Sequence, residues 1–436
     1  MTSIQVGMTG LCALIILIAL RVPIGISLIC TSFLGLWALL GEHAAWGIMR
    51  AVPYNFAASW TLSSVPMFLL MGYLCFHAGL TRGLFEASRA WLSRLPGGTA
   101  VASVFGAAGF AAVTGSSVAC AAAMGRIAVP EMLRQRYDPG LATASLAAAG
   151  TLGALIPPSI LLIIYGIMTQ VPIGTLFMGG LALGLLSLAS YIAIIVIRVK
   201  LDPELAPMDG TRFTWEEKFS ALKGAAPIVI IMIGVMGGLF LGLYTATEAG
   251  AAGAFLSFLL AAQRRTLTWD AFKRTLFDTV VTSTSIFIIA IGASMLARFI
   301  ALSGVGAYLG DLMTAAQLEP MVAILLIVGL YLVLGMFLEP IGGMLVTLPI
   351  VLPIVQSAGY DLLWFGILLA KVLEVGMLTP PIGLNIFVIK GIVGDEISLS
   401  TIFRGVTWFI VADLVVVALS LTFPDIILYL PSILKN

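Results

Sequence analysis

Apolar positions along the chain fall into runs separated by short polar breaks. The runs lie near 5–20, 23–41, 58–80, 98–114, 118–133, 141–169, 173–197, 225–243, 246–262, 276–297, 321–337, 341–357, 362–393 and 405–423. A helix that crosses a bilayer needs about 20 mostly apolar residues. The pattern therefore predicts an all-α polytopic membrane protein. The first run lacks a basic leader and a small-residue exit, so it predicts a retained span and not a signal peptide. The stretches 43–60, 266–278 and 395–405 mix aromatic and polar residues before a span, and predict arm helices lying along the interface.

The charged positions orient these runs. Basic residues cluster at Arg82, Arg89 and Arg94, at Arg126, Arg134 and Arg136, at Arg198, Lys200, Arg212, Lys218 and Lys223, at Arg264, Arg265, Lys273 and Arg274, and at Arg404. Loops 42–48, 169–173, 243–248 and 357–361 carry almost none. The positive-inside rule puts the clusters in the cytoplasm and the N-terminus outside. The first two clusters then lie on one side, so 98–133 must enter and return. That stretch is rich in Ala and Gly and centres on Thr-Gly-Ser-Ser (114–117). It predicts a re-entrant hairpin with a polar tip, an arrangement tolerated only beside protein or a wet cavity.

The chain also repeats itself. Pro130 recurs as Pro353, 223 residues on, and at the same offset Tyr137-Asp138 meets Tyr360-Asp361, Gly153 meets Gly376, and Pro157-Pro158 meets Pro380-Pro381. The offset predicts a second hairpin at 321–358 with an irregular tip, Phe-Leu-Glu-Pro-Ile-Gly-Gly (337–343). Five crossings separate the two hairpins, which makes them inverted-topology repeats. Each Pro-Pro pair breaks a helix inside an apolar run, because proline lacks a donor and clashes with the preceding turn. A helix broken at mid-membrane leaves carbonyls at one end, suited to Na⁺, and N–H groups at the other, suited to an anion. Inverted repeats with broken helices predict a secondary-transport site.

Composition narrows the alternatives. Hydrophobic residues make up 60% of the chain, charged residues 10%, and the net charge is +1. These values exclude a soluble enzyme, a nucleic-acid binder and a disordered scaffold. Cys12, Cys30, Cys75 and Cys120, and His43 and His77, show no metal or redox spacing and are read as packing or loop residues. Lys371 and Glu374 stand three apart on one helix and predict a structural ion pair. Glu248 and Arg298 are expected to pair or snorkel near the outer interface. Glu339 either caps a half-helix or contacts substrate.

With the hairpins and repeat in view, the chain resembles the large membrane subunit of TRAP (tripartite ATP-independent periplasmic) transporters over nearly its whole length. The resemblance rests on Ser-Val-Pro-Met-Phe-Leu-Leu-Met-Gly (64–72), Thr-Gly-Ser-Ser-Val-Ala (114–119), residues 150–159, Leu-Glu-Pro-Ile (338–341) and Leu-Thr-Pro-Pro-Ile-Gly-Leu-Asn (378–385). It implies a Na⁺-coupled elevator of the ion-transporter superfamily in the bacterial inner membrane. It also implies a small four-helix membrane partner, a periplasmic substrate-binding protein and an organic-acid substrate. One Na⁺ site would use Thr114, Ser117, Gly153, Ile156 and Pro157, and the other Gly335, Gly376, Thr379 and Ile382. The family often has Ser where Thr114 stands and Met where Ile382 stands, substitutions of little consequence to carbonyl ligands. Substrate contacts would come from Ser116, Ser117, Glu339, Gly342, Gly343 and Asn385.

The expected organisation is scaffold spans and an arm at 1–95, a first transport repeat at 96–170, and scaffold spans with a cytoplasmic connector (198–223) at 171–297. A second transport repeat follows at 298–394, with an arm and last scaffold span at 395–436. The competing readings are a stand-alone carboxylate carrier, a channel, a membrane enzyme and a passive scaffold. The sequence shows no catalytic His, Asp or Cys cluster and no P-loop, and a scaffold has no use for two broken helices.

Overall fold

The structure, a computed structural model, describes residues 2–207, 213–315 and 319–433. Arg212 and parts of the segments 198–223, 298–394 and 395–436 lie outside them. The helices in order are α1 (Ser3–Ala19), α2 (Ile24–Leu40), α3 (Glu42–Ala57), α4 (Ser64–His77), α5 (Arg82–Leu92), α6 (Gly98–Thr114) and α7 (Ser117–Arg134). Then come α8 (Pro139–Gly150), α9 (Ile160–Thr169), α10 (Ile173–Leu201), α11 (Trp215–Met232), the short α12 (Gly238–Phe240), α13 (Ala246–Gln263) and α14 (Trp269–Ser303). The chain closes with α15 (Val305–Ala315), α16 (Pro320–Phe337), α17 (Pro340–Ser357), α18 (Leu362–Gly376), α19 (Leu384–Val393), α20 (Leu399–Thr422) and α21 (Asp425–Ile433). Among the described residues, seven helical segments are long and apolar enough to cross a membrane, and α1, α2, α6 and α9 are shorter apolar helices.

Both hairpins form where the sequence places them. Gly115 ends α6 in the left-handed region (φ 59°), a turn that suits glycine. Ser116 then caps α7 by accepting a bond from the Ala119 N–H. At the second tip, Glu339 caps α17 by accepting from the Gly342 N–H. Both Pro-Pro pairs interrupt a helix. The first separates α8 from α9, where Ser159 starts the new helix, and the second separates α18 from α19. Both Pro-Pro bonds are cis.

The helix boundaries keep the 223-residue offset well beyond the block seen in the sequence. Adding it carries α5 onto α15, α6 onto α16, α7 onto α17, α9 onto α19 and α10 onto α20, each within about three residues, the tolerance of helix boundaries. It also carries α2 onto α13, and the pair α3 and α4 onto the single helix α14.

Three features differ from expectation. Residues 266–278 and 395–405 do not form separate arms. The first is the opening of the continuous 35-residue α14, and the second leads directly into α20. No proline or glycine interrupts 269–291, so nothing stops that helix. α14 is about 52 Å long at 1.5 Å per residue, more than a bilayer core of about 30 Å. The expected arm at 43–60 is present as the separate α3. Finally, α10 and α20 pack on the hairpin and broken helices, chiefly α6, α8, α9 and α18, whereas the expected organisation puts both among the scaffold spans. Their small and aromatic faces, including Gly180, Gly184 and Phe409, are what fit there. The remaining long helices form a second group, in which α2 packs on α14 and α4 packs on α13 and α14.

Candidate functional site

The two tips meet at one cavity of about 420 Å³. Thr114, Gly115, Ser116, Ser117, Val118 and Ala119 line it from the first tip, and Glu339, Pro340 and Ile341 from the second. Glu374 and Met377 come from the end of α18. The rest of the lining includes Leu69, Gly72, Tyr73 and Phe76 of α4, and Thr282, Ser285, Ile286 and Ile289 of α14. There the Tyr73 hydroxyl and Thr282 Oγ1 are 2.8 Å apart. The lining carries no Lys, Arg or His. Its polar groups are hydroxyls and two carboxylates, Glu339 and Glu374.

The residues expected to hold the first cation come together. A Cβ on Gly153 would lie 2.8 Å from the Ser116 carbonyl carbon and 2.9 Å from the Ser117 nitrogen, so the break in the first helix abuts the tip. A Cβ on Gly115 would lie 2.5 Å from the Pro158 carbonyl oxygen, which brings the segment after Ile156 and Pro157 to the same tip. For the second set, a Cβ on Gly376 would lie 2.5 Å from Gly335 Cα. The Thr379 N–H donates to the Gly376 carbonyl at 3.0 Å. Ile382 is 37% exposed in the same irregular segment. Carbonyls freed at such breaks are oxygen donors without formal charge, the chemistry a hard monovalent cation takes.

Of the residues expected at substrate, Ser116, Ser117 and Glu339 line the cavity, and Gly342, Gly343 and Asn385 do not. Gly342 and Gly343 lie inside the first turn of α17, where the Gly342 N–H donates to Glu339 Oε2 at 3.2 Å. Glu339 therefore caps a half-helix and faces the cavity at once. Asn385 is fully buried behind the first tip and donates to the Ala147 carbonyl at 3.3 Å.

The expected Lys371–Glu374 pair does not form. Lys371 instead pairs with Asp413 of α20, both fully buried. Asp413 also accepts from the Tyr191 hydroxyl of α10 at 2.8 Å, and that hydroxyl is 2.8 Å from Thr151 Oγ1. Glu374 accepts from Ser117 Oγ at 2.6 Å. Side chains three apart leave a helix about 60° from each other at 100° per residue, and here two different neighbours capture them. The α14 hydroxyls were missed as well, although the polar run Thr-Ser-Thr-Ser (282–285) inside an apolar span was their signal.

Elsewhere, His77 bonds Asp278 at 2.8 Å, Glu248 forms a capping box with Thr245, and Arg298 is exposed. Cys75 and Cys120 are buried, and Cys12 and Cys30 are exposed.

Comparison with known proteins follows this geometry. The family described as "Tripartite ATP-independent periplasmic transporter, DctM component" matches residues 11–426. The chain is 32% identical to the C4-dicarboxylate TRAP transporter large permease protein DctM of Vibrio cholerae, covering 85% of this chain and 86% of that one. It is 31% identical to the sialic acid TRAP transporter large permease protein SiaM of the same organism, covering 94% and 95%. Two solved structures share the fold. The YdaH transporter of Alcanivorax borkumensis superposes with a TM-score of 0.60 at 15% identity, over 88% of this chain and 89% of that one. MtrF of Neisseria gonorrhoeae gives 0.57 at 16%, over 87% and 85%. The sequence match over nearly the whole length, on an all-α membrane fold with a cavity between two hairpin tips, shows that the chain belongs to the DctM family of TRAP transporter large permeases, integral membrane transport proteins and not enzymes.

Proposed function

We propose that this chain carries a small organic anion into the cell by Na⁺-coupled secondary transport with an elevator motion. It would act in the inner membrane with a small four-helix membrane subunit and a periplasmic binding protein. The observation that carries the reading is the shared cavity, lined by both hairpin tips and by α4 and α14. Both tips are helix N-termini, where the helix dipole attracts an anion, although at the second tip the Glu339 carboxylate already takes the Gly342 N–H. Carbonyl-rich breaks beside each tip suit Na⁺, so ion and substrate would stabilise one another's sites, a coupling that is reciprocal. The moving body would comprise the hairpins, the broken helices and also α10 and α20, which pack on them.

The orientation set by the basic clusters gives this geometry a side. With the N-terminus outside, Ile24 starts α2 at the cytoplasmic face. A Cβ on Gly342, at the second tip, would lie 3.1 Å from Ile24 Cδ1. A hairpin that enters from outside and touches the cytoplasmic end of α2 stands in its lowered position. The inward-facing state of an alternating-access cycle has that arrangement.

The test is uptake into proteoliposomes that hold this chain with its small membrane subunit. A candidate binding protein and a panel of labelled carboxylates and sulfonates are supplied outside. Uptake of one acid that requires both an inward Na⁺ gradient and the binding protein is expected. Uptake on Na⁺ alone would indicate a stand-alone carrier, and flux indifferent to Na⁺ would overturn the coupling.

A further inference from the structure

Glu374 is a buried carboxylate with an unfinished set of partners. Its residue is 1% exposed, and its Oε1 accepts from Ser117 Oγ at 2.6 Å. Its Oε2 is buried and has no hydrogen-bond partner among the described residues. Lys371, one turn away, is engaged by Asp413. No Lys, Arg or His lines the cavity that Glu374 borders. An uncompensated buried carboxylate is costly, and in a membrane protein such a group marks an ion or proton site.

A second orphan stands near. Asn385 is fully buried, and its Oδ1 also lacks a partner. A Cβ on Gly150 would lie 3.0 Å from Asn385 Nδ2 and 3.0 Å from the Ser117 carbonyl oxygen, so the amide and the tip both pack against Gly150, behind the cavity. Ser117 is thus flanked by Glu374 at its hydroxyl and by Asn385 near its carbonyl. Oxygen acceptors of this kind, with one formal negative charge, are the ligand set of a hard cation.

We infer that Glu374, Asn385 and the Ser117 hydroxyl form a third Na⁺ site carrying one formal charge, beside the first carbonyl site, with which it shares Ser117. It joins hairpin 1 to the second broken helix, so the ion closes the two repeats on each other. Its positive charge offsets Glu374 beside the cavity that the anion enters, which makes anion binding dependent on prior cation binding. The inference rests on the Na⁺ coupling proposed above.

Equilibrium binding of radiolabelled Na⁺ to the purified full chain tests it without knowledge of the substrate. The wild type is compared with Glu374→Gln, Glu374→Asp and Asn385→Ala, each checked for a monodisperse elution profile. Glu374→Gln should bind one Na⁺ fewer per chain, with the affinity of the remaining ions within about threefold. Glu374→Asp should keep the ion count with one site at least about tenfold weaker, and Asn385→Ala should also weaken one site. If Glu374→Gln does not fold, the aspartate and alanine variants decide the matter, and unchanged Na⁺ affinity in both would overturn the site. An unchanged count in a folded Glu374→Gln would overturn this site alone. An unchanged count with loss of pH-linked proton binding would assign the position to a proton and overturn the sodium claim. A wild type that binds no Na⁺ would overturn both this site and the coupling.

Discussion

Lys371 shows how much one residue's partner matters. Its ammonium is held by Asp413, whose second oxygen takes the Tyr191 hydroxyl, and Tyr191 reaches Thr151 beside the first helix break. The ring of Tyr191 also lies under the ammonium, 5.4 Å from its centroid. The network ties α18, α20, α10 and the segment after α8 into one unit, so breaking it leaves an unpaired charge in a dry interior. Lys371→Met should destabilise the chain by about 3–5 kcal/mol. The double change Lys371→Met with Asp413→Leu should recover most of that, because apolar residues of similar size replace a buried pair at little net cost. Thermal unfolding in detergent reads both, and a double variant no more stable than the single one would contradict the assignment. The sequence made the charges visible but not their partners. The helical period places Lys371 and Glu374 on one side of α18. Which neighbour captures each depends on α20 and on the first tip, which lie 42 and 257 residues away in the chain. Ser116, Ser117 and Glu339 were legible because a polar group inside an apolar run needs a reason. Glu374 was legible only as a partner for Lys371, and the hydroxyls of α4 and α14 only as polar residues without a role.

At the scale of elements, close approach of two helices sets the geometry of the second break. Gly335 on α16 and Gly376 at the end of α18 meet backbone to backbone, and a Cβ on Gly335 would lie 2.6 Å from the Leu373 carbonyl oxygen. Backbone cannot yield as a flexible side chain can. Gly376→Val should therefore push the hairpin from the broken helix and lower uptake by tenfold or more. Gly329→Ala on the same α16 meets nothing within 4 Å and should leave uptake unchanged. Equal uptake by the two variants would contradict this account of the break. Hairpins and breaks were readable from sequence because glycine, proline and capping residues act locally. The offset of 223 residues was readable only where residue identities survive, between Pro130 and Pro158 and between Pro353 and Pro381. Over the rest of the chain it survives as helix boundaries, because packing constrains length and position more tightly than identity. The continuity of α14 went unread for a related reason: a polar first half resembles an arm, and nothing local shows that the helix simply goes on.

At the scale of the molecule, the account requires two bodies that slide past each other. α2, α4, α13 and α14 pack together as one group, while the hairpins, broken helices, α10 and α20 pack as the other. The assignment of α10 and α20 could not be read from hydropathy, since apolar spans look alike whichever body they join. The two groups touch where small residues let them approach. A Cβ on Gly72 of α4 would lie 2.9 Å from the Val113 carbonyl oxygen, and Gly342 sits against Ile24. The second contact offers the most direct test. Cysteines at Ile24 and Gly342, in a background with the exposed Cys12 and Cys30 replaced, should be joined by a short cross-linker in the purified complex. Reconstituted in proteoliposomes, the cross-linked protein should lose Na⁺-driven uptake at least tenfold and regain it on reduction, while either single cysteine transports normally. Cross-linked protein that carries substrate at the uncross-linked rate would contradict the sliding of one body against the other.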